Sequence, residues 1–108
     1  MIIGVLREQK PGEHRVGLTP LGASRLIQAG HTVLVEKNAG VGSGFENISY
    51  RNTGAQICSK PEEVAARSDM VVKIKEPTEK EYHLLYLMSG KILFAYLHLA
   101  GVPQTLTK

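Results

Sequence analysis

The strongest constraint on what this 108-residue chain can fold into is an alternation. Short apolar runs recur along it, separated by segments that carry helix-start and helix-stop residues. The runs are Ile2 to Leu6, His31 to Glu36, Gln56 to Cys58, Met70 to Lys75 and Ile92 to Leu97. Each is short and rich in Val, Ile or Leu, so each reads as a strand. The last is almost wholly apolar, as expected of a strand buried on both faces. Strands alternating with helices at this spacing build βαβ units. The expectation is an α/β fold on a mainly parallel sheet of about five strands, with right-handed crossovers.

The intervening segments support that reading. Thr19-Pro20 joins a capping hydroxyl to a proline at the first helical position. Ala23, Leu26, Ile27 and Ala29 then form an apolar stripe, and Gly30 stops it. Ser59 with Glu62, and Thr78 with Glu81, have the spacing of capping boxes, predicting helices that end near Ser68 and Gly90. Gly40-Val-Gly-Ser-Gly44 is a loop leading into a short helical piece over Asn47 to Asn52. Lys10-Pro11-Gly12 is a turn that opens a charged loop out to about Arg15. Val102-Pro103-Gln104 begins what looks like another helix, so the alternation would continue past Lys108.

Composition narrows the function classes. Apolar residues make up 43% and charged residues 21%, which is ordinary for a globular domain. Thirteen basic against ten acidic residues leave a net +3, scattered rather than gathered into a stripe, which argues against nucleic acid. Cys58 is the single cysteine, so no internal disulfide forms and a reducing compartment is expected. There is no secretory pattern at Met1 and no apolar run near the length of a membrane span, so a cytoplasmic location is expected.

Four residues are candidates for chemistry. Ligands of open parallel sheets bind outside the carboxyl ends of the strands. His98 stands at that end of the fifth run, and its near-neutral pKa suits proton transfer, although a buried, satisfied histidine is the plain alternative. Tyr96, two residues earlier, shares its strand face and either lines the same site or packs. Arg15 offers a guanidinium that can grip a carboxylate with two parallel hydrogen bonds, or is a solvated surface arginine. Lys73 and Lys75 share a strand face by the period of two, and Lys75, nearer the carboxyl end, is the better site residue. No His, Cys and acid spacing suggests a metal. The glycine loop lacks the last glycine of G-x-G-x-x-G, since Phe45 stands there, and reads as a tight turn.

Five stretches together resemble the amino-terminal part of alanine dehydrogenase. They are Ile3-Gly-Val-Leu-Arg-Glu8, Pro11-Gly-Glu-His-Arg-Val-Gly-Leu-Thr-Pro20, Gly40-Val-Gly-Ser-Gly-Phe45, Val72-Lys-Ile-Lys-Glu-Pro77 and Ile92-Leu-Phe-Ala-Tyr-Leu-His-Leu-Ala100. The opening motifs are also similar to the α subunit of proton-translocating transhydrogenase. The resemblance implies a Rossmann-like or flavodoxin-like substrate-binding domain over residues 1–108, incomplete relative to the family's domain and with the NAD-binding Rossmann domain absent. It implies the reversible conversion of L-alanine, water and NAD to pyruvate, ammonia and NADH, in a homo-oligomer, usually a hexamer. Arg15 would bind the substrate carboxylate, Lys75 the keto or carboxylate oxygens, and His98 would act as general acid/base with Tyr96 lining the pocket. The chain alone would bind no NAD and be inactive. The rivals are a transhydrogenase domain without alanine chemistry, and a non-catalytic remnant acting as an interaction or small-molecule-binding module.

Overall fold

A computed structural model describes residues 1–75 and 77–95. Its strands are β1 (Ile2–Val5), β2 (Thr32–Glu36), β3 (Gln56–Cys58), β4 (Met70–Lys73) and β5 (Ile92–Ala95). Between them run α1 (Pro20–Gln28), α2 (Asn47–Arg51), α3 (Pro61–Arg67) and α4 (Tyr82–Leu87). All neighbouring strands pair in parallel, in the order β3-β2-β1-β4-β5. Of the two arrangements that the family resemblance left open, this is the Rossmann-like order, not the flavodoxin-like one.

The sheet is doubly wound because its strands carry apolar residues on both faces. Val33 and Val35 of β2 pack with Val5 against Ala23 of α1 and Tyr50 of α2. Leu34, from the opposite face, packs with Val71 against Val64 and Ala65 of α3 and Leu84 of α4. The helices approach closely where side chains are missing. A β-carbon on Gly4 of β1 would lie 2.1 Å from Ser68 Oγ and 2.7 Å from Val64 Cγ1, so only glycine admits α3 at this distance.

The local signals were realised unevenly. Thr19 Oγ1 accepts the Gly22 N–H at 3.1 Å, capping α1 as the Thr-Pro pair predicts. The Thr78 N–H donates to Glu81 Oε1 at 3.0 Å, the reciprocal arm of the second capping box. The first box does not form. Pro61 takes the first helical position, which makes Lys60 the cap residue and leaves Ser59 one place too early.

Two strand expectations are corrected. β4 ends at Lys73, and Ile74 and Lys75 turn away from the sheet. β5 is not buried on both faces: Ile92 is 51% exposed and Phe94 50%. Among the described residues it is an edge strand whose only partner is β4. α4 lies on its Leu93 side, and no described helix covers the side bearing Ile92 and Phe94.

Candidate active site

The chain builds leftward from β1 to β2 and β3, then returns to place β4 and β5 on the other side. The carboxyl ends of β1 and β4 flank this reversal, the place where ligands of open α/β sheets bind. The loop after β1 carries Glu8, Glu13 and Arg15, and the turn after β4 carries Lys75. A cleft of about 500 Å³ is lined by Arg7, Glu8, Glu13, His14 and Arg15 from the first loop and by Asn38, Ala39, Val41 and Gly42 after β2.

Glu13 organises the cationic side of this cleft. Its Oε2 accepts the Arg15 Nε–H at 3.0 Å and the Arg15 backbone N–H at 2.9 Å, and its Oε1 accepts from Nη2 at 2.9 Å. The Arg15 hydrogen bond lowers the Glu13 pKa to about 2, with the charges of Arg15 and Lys75 adding to it against the opposing effect of burial. Glu13 therefore stays ionised and in turn keeps the guanidinium charged. The pairing uses the Nε side of the guanidinium. Nη1 has no partner among the described residues, and the Arg15 side chain is 67% exposed. Its outer end is free to bind a second carboxylate.

Of the two predicted cations in the described region, Arg15 grips Glu13 directly, and the charge of Lys75 acts on the same carboxylate. His98 and Tyr96 lie outside the described residues. The expectation that Lys73 and Lys75 share a strand face fails because the strand ends between them. Lys73 is 1% exposed and paired with Glu8 at 3.4 Å and Glu81 at 3.0 Å, so no substrate group reaches it. Lys75 is partly exposed.

Sequence reasoning missed Glu8, Glu13 and Glu81. Acidic residues in a charged loop look like solvated surface, and only the fold shows their carboxylates buried against Lys73 or covered beside Arg15. The Thr78–Glu81 spacing did signal Glu81, but as a helix cap alone. Cys58 is buried, and burial pushes its thiol up, so it is a core residue rather than a nucleophile.

Residues 4–108 match the family model described as alanine dehydrogenase/PNT, N-terminal domain. The chain belongs to this family. It is 53% identical over 104 residues to alanine dehydrogenase of Bacillus subtilis, covering 96% of this chain and 27% of that protein. It is 52% identical over 101 residues to alanine dehydrogenase 2 of Staphylococcus aureus, covering 94% and 26%. Among solved structures it superposes on an L-alanine dehydrogenase with a TM-score of 0.84 at 42% identity, over 99% of this chain and 28% of that one. A transhydrogenase from Sinorhizobium meliloti follows at 0.78 and 27% identity, over 88% and 26%. The chain spans about a quarter of the length of the relatives it matches.

Membership of the alanine dehydrogenase/PNT family brings NAD into question, and the described residues do not fit it. The glycine loop owes its composition to packing. A β-carbon on Gly40 would meet the Tyr50 ring at 2.7 Å, and one on Gly42 would meet the His14 carbonyl oxygen at 2.8 Å. The helix that follows, α2, has five residues, too short to present a phosphate site. No group of three or more His, Cys, Asp or Glu able to hold a metal occurs among the described residues. No described helix is long and apolar enough to cross a membrane.

Proposed function

We propose that this chain is the pyruvate- and alanine-binding domain of an NAD-dependent alanine dehydrogenase, a module confined to substrate recognition and proton transfer. The observation that carries this reading is the pair of cations at the switch point of the sheet. Arg15 is braced by Glu13 with its outer end free, and the charge of Lys75 reaches the same Glu13 carboxylate. A two-oxygen anion with a neighbouring carbonyl matches that arrangement: Arg15 takes the carboxylate, and Lys75 takes the keto or second carboxylate oxygen. His98 is assigned general acid/base chemistry on the carbonyl or carbinolamine oxygen, and Tyr96 the lining of the pocket, on the strength of the Ile92-Leu-Phe-Ala-Tyr-Leu-His-Leu-Ala100 motif. Hydride transfer to NAD is assigned to no residue of this chain. Identity of 42% to a solved L-alanine dehydrogenase against 27% to a solved transhydrogenase favours alanine chemistry over the transhydrogenase alternative.

The test is a hybrid in which this chain replaces the matching segment of the Bacillus subtilis enzyme. The assembled hybrid is expected to form NADH from L-alanine. In it, His98→Ala is expected to lower kcat by at least about a hundredfold, the range of a lost general acid/base, with an unchanged melting temperature. The 108-residue chain alone is expected to form no NADH. An assembled hybrid without turnover overturns the proposal, and retained turnover in His98→Ala removes His98 from it. Should the hybrid fail to assemble, pyruvate titration of the chain by NMR decides, with amide shifts expected at Glu13 to Arg15 and Ile74 to Lys75.

A further inference from the structure

Behind the Lys75 turn lies a cluster of charges that the proposed chemistry does not use. The Lys73 ammonium sits between Glu8 Oε1 and Glu81 Oε2, and the three side chains are 1%, 2% and 5% exposed. Glu36, at the end of β2, adds a third carboxylate within charge range. One ammonium among three acids is a costly thing to bury, and apolar side chains of the same size would stabilise the core at least as well. The hydrogen bonds indicate what the cluster does instead. Glu8 Oε2 accepts the Ile74 N–H at 3.0 Å, and Oε1 accepts the Lys75 N–H at 3.1 Å. Glu81 Oε1 accepts the Thr78 N–H at 3.0 Å. The turn that carries Lys75 is therefore pinned near its start by Glu8 and at its end by Glu81, and both carboxylates are anchored on the same buried Lys73.

We propose that Glu8 is a positioning residue for Lys75: its carboxylate, held by Lys73, fixes the backbone from which the Lys75 ammonium projects. This rests on the reading that Lys75 binds substrate. β1 supplies the loop that carries the pin, and β4 delivers the turn it holds. The two strands are adjacent in the sheet although far apart in sequence. Lys73 has no contact with the cleft and acts only by holding the two carboxylates in place.

The test uses Glu8→Gln, which keeps the size of the side chain and removes its charge. In the hybrid enzyme it is expected to raise KM for pyruvate by about ten- to a hundredfold, as misplacement of a binding group does, while leaving KM for NADH within about twofold. In a Lys75→Ala background the same change is expected to alter KM for pyruvate by less than about twofold, because a residue acting through Lys75 has nothing left to position. In the chain itself, exchange of the Ile74 and Lys75 amide protons is expected to accelerate at least about tenfold, with Val71 and Val72 unchanged. Glu8→Asp retains the charge but draws it back by one methylene, and is expected to give the same KM rise where Glu8→Gln does not fold. Equal effects of Glu8→Gln with and without Lys75, or unchanged exchange at Ile74 and Lys75, overturn the positioning role. A Lys75→Ala enzyme with unaltered KM for pyruvate overturns the functional reading, and the positioning role falls with it.

Discussion

At the scale of single residues, two lysines two positions apart have opposite fates. Lys73 is the last residue of β4, and its side chain points into the α4 face of the sheet, where Glu8 and Glu81 neutralise it. Lys75 follows a bend and stays partly exposed beside Glu13. The acids decide the difference, since a buried ammonium survives only with carboxylates around it. Glu13 likewise makes Arg15 a rigid fork rather than a mobile surface side chain. Its pKa near 2 lies below the ordinary 4.5, so the stability it contributes is complete above pH 4.5 and is lost as the pH falls through 2. An NMR acid titration of the Glu13 side-chain carbon is expected to show its midpoint near pH 2. Arg15→Gln is expected to return that midpoint toward 4.5, and a wild-type midpoint already there would dissolve the pair.

At the scale of elements, the packing of α3 on β1 is the tightest fit in the fold. Gly4 stands under Val64 and Ser68, with no room for a methyl group. Gly4→Ala must push α3 outward, and the expected cost is about 2 kcal/mol, or a fall of roughly 10 °C in melting temperature, read by calorimetry. A melting temperature within about 2 °C of wild type would mean that α3 shifts freely. The capping signals show how local chemistry competes. Thr19 caps α1 because Pro20 follows it directly. Ser59 fails because its proline comes two residues on, which moves the helix start past it.

At the scale of the whole molecule, the described helices cover one flank of the sheet more fully than the other. β3 and β2 are sandwiched by helices, whereas β5 presents Ile92 and Phe94, and α4 beside it presents Tyr82, Leu85 and Tyr86. Exposed large apolar side chains in this number drive association in water. Sedimentation velocity of the chain is expected to show a mass that grows with concentration. The double variant Ile92→Lys and Phe94→Lys is expected to suppress that growth. A monomer at every concentration would mean that the flank is already covered.

The sequence alone carried the α/β class, the five strands, the placement of Arg15 in the loop after the first strand and of Lys75 close to the end of the fourth, and, through its motifs, the family. These are legible because they rest on local periodicity, turn chemistry and short motifs, all written within a few consecutive residues. Strand order, the exposure of β5 and the partners of each charge were decided only by the tertiary structure. Strand pairing joins residues about 20 to 70 positions apart, and it is pairing that brings Glu8 against Lys73 and the Lys75 turn. No local pattern records which acid will meet which base. That choice depends on burial, because an ammonium removed from water must find its carboxylates wherever the fold delivers them.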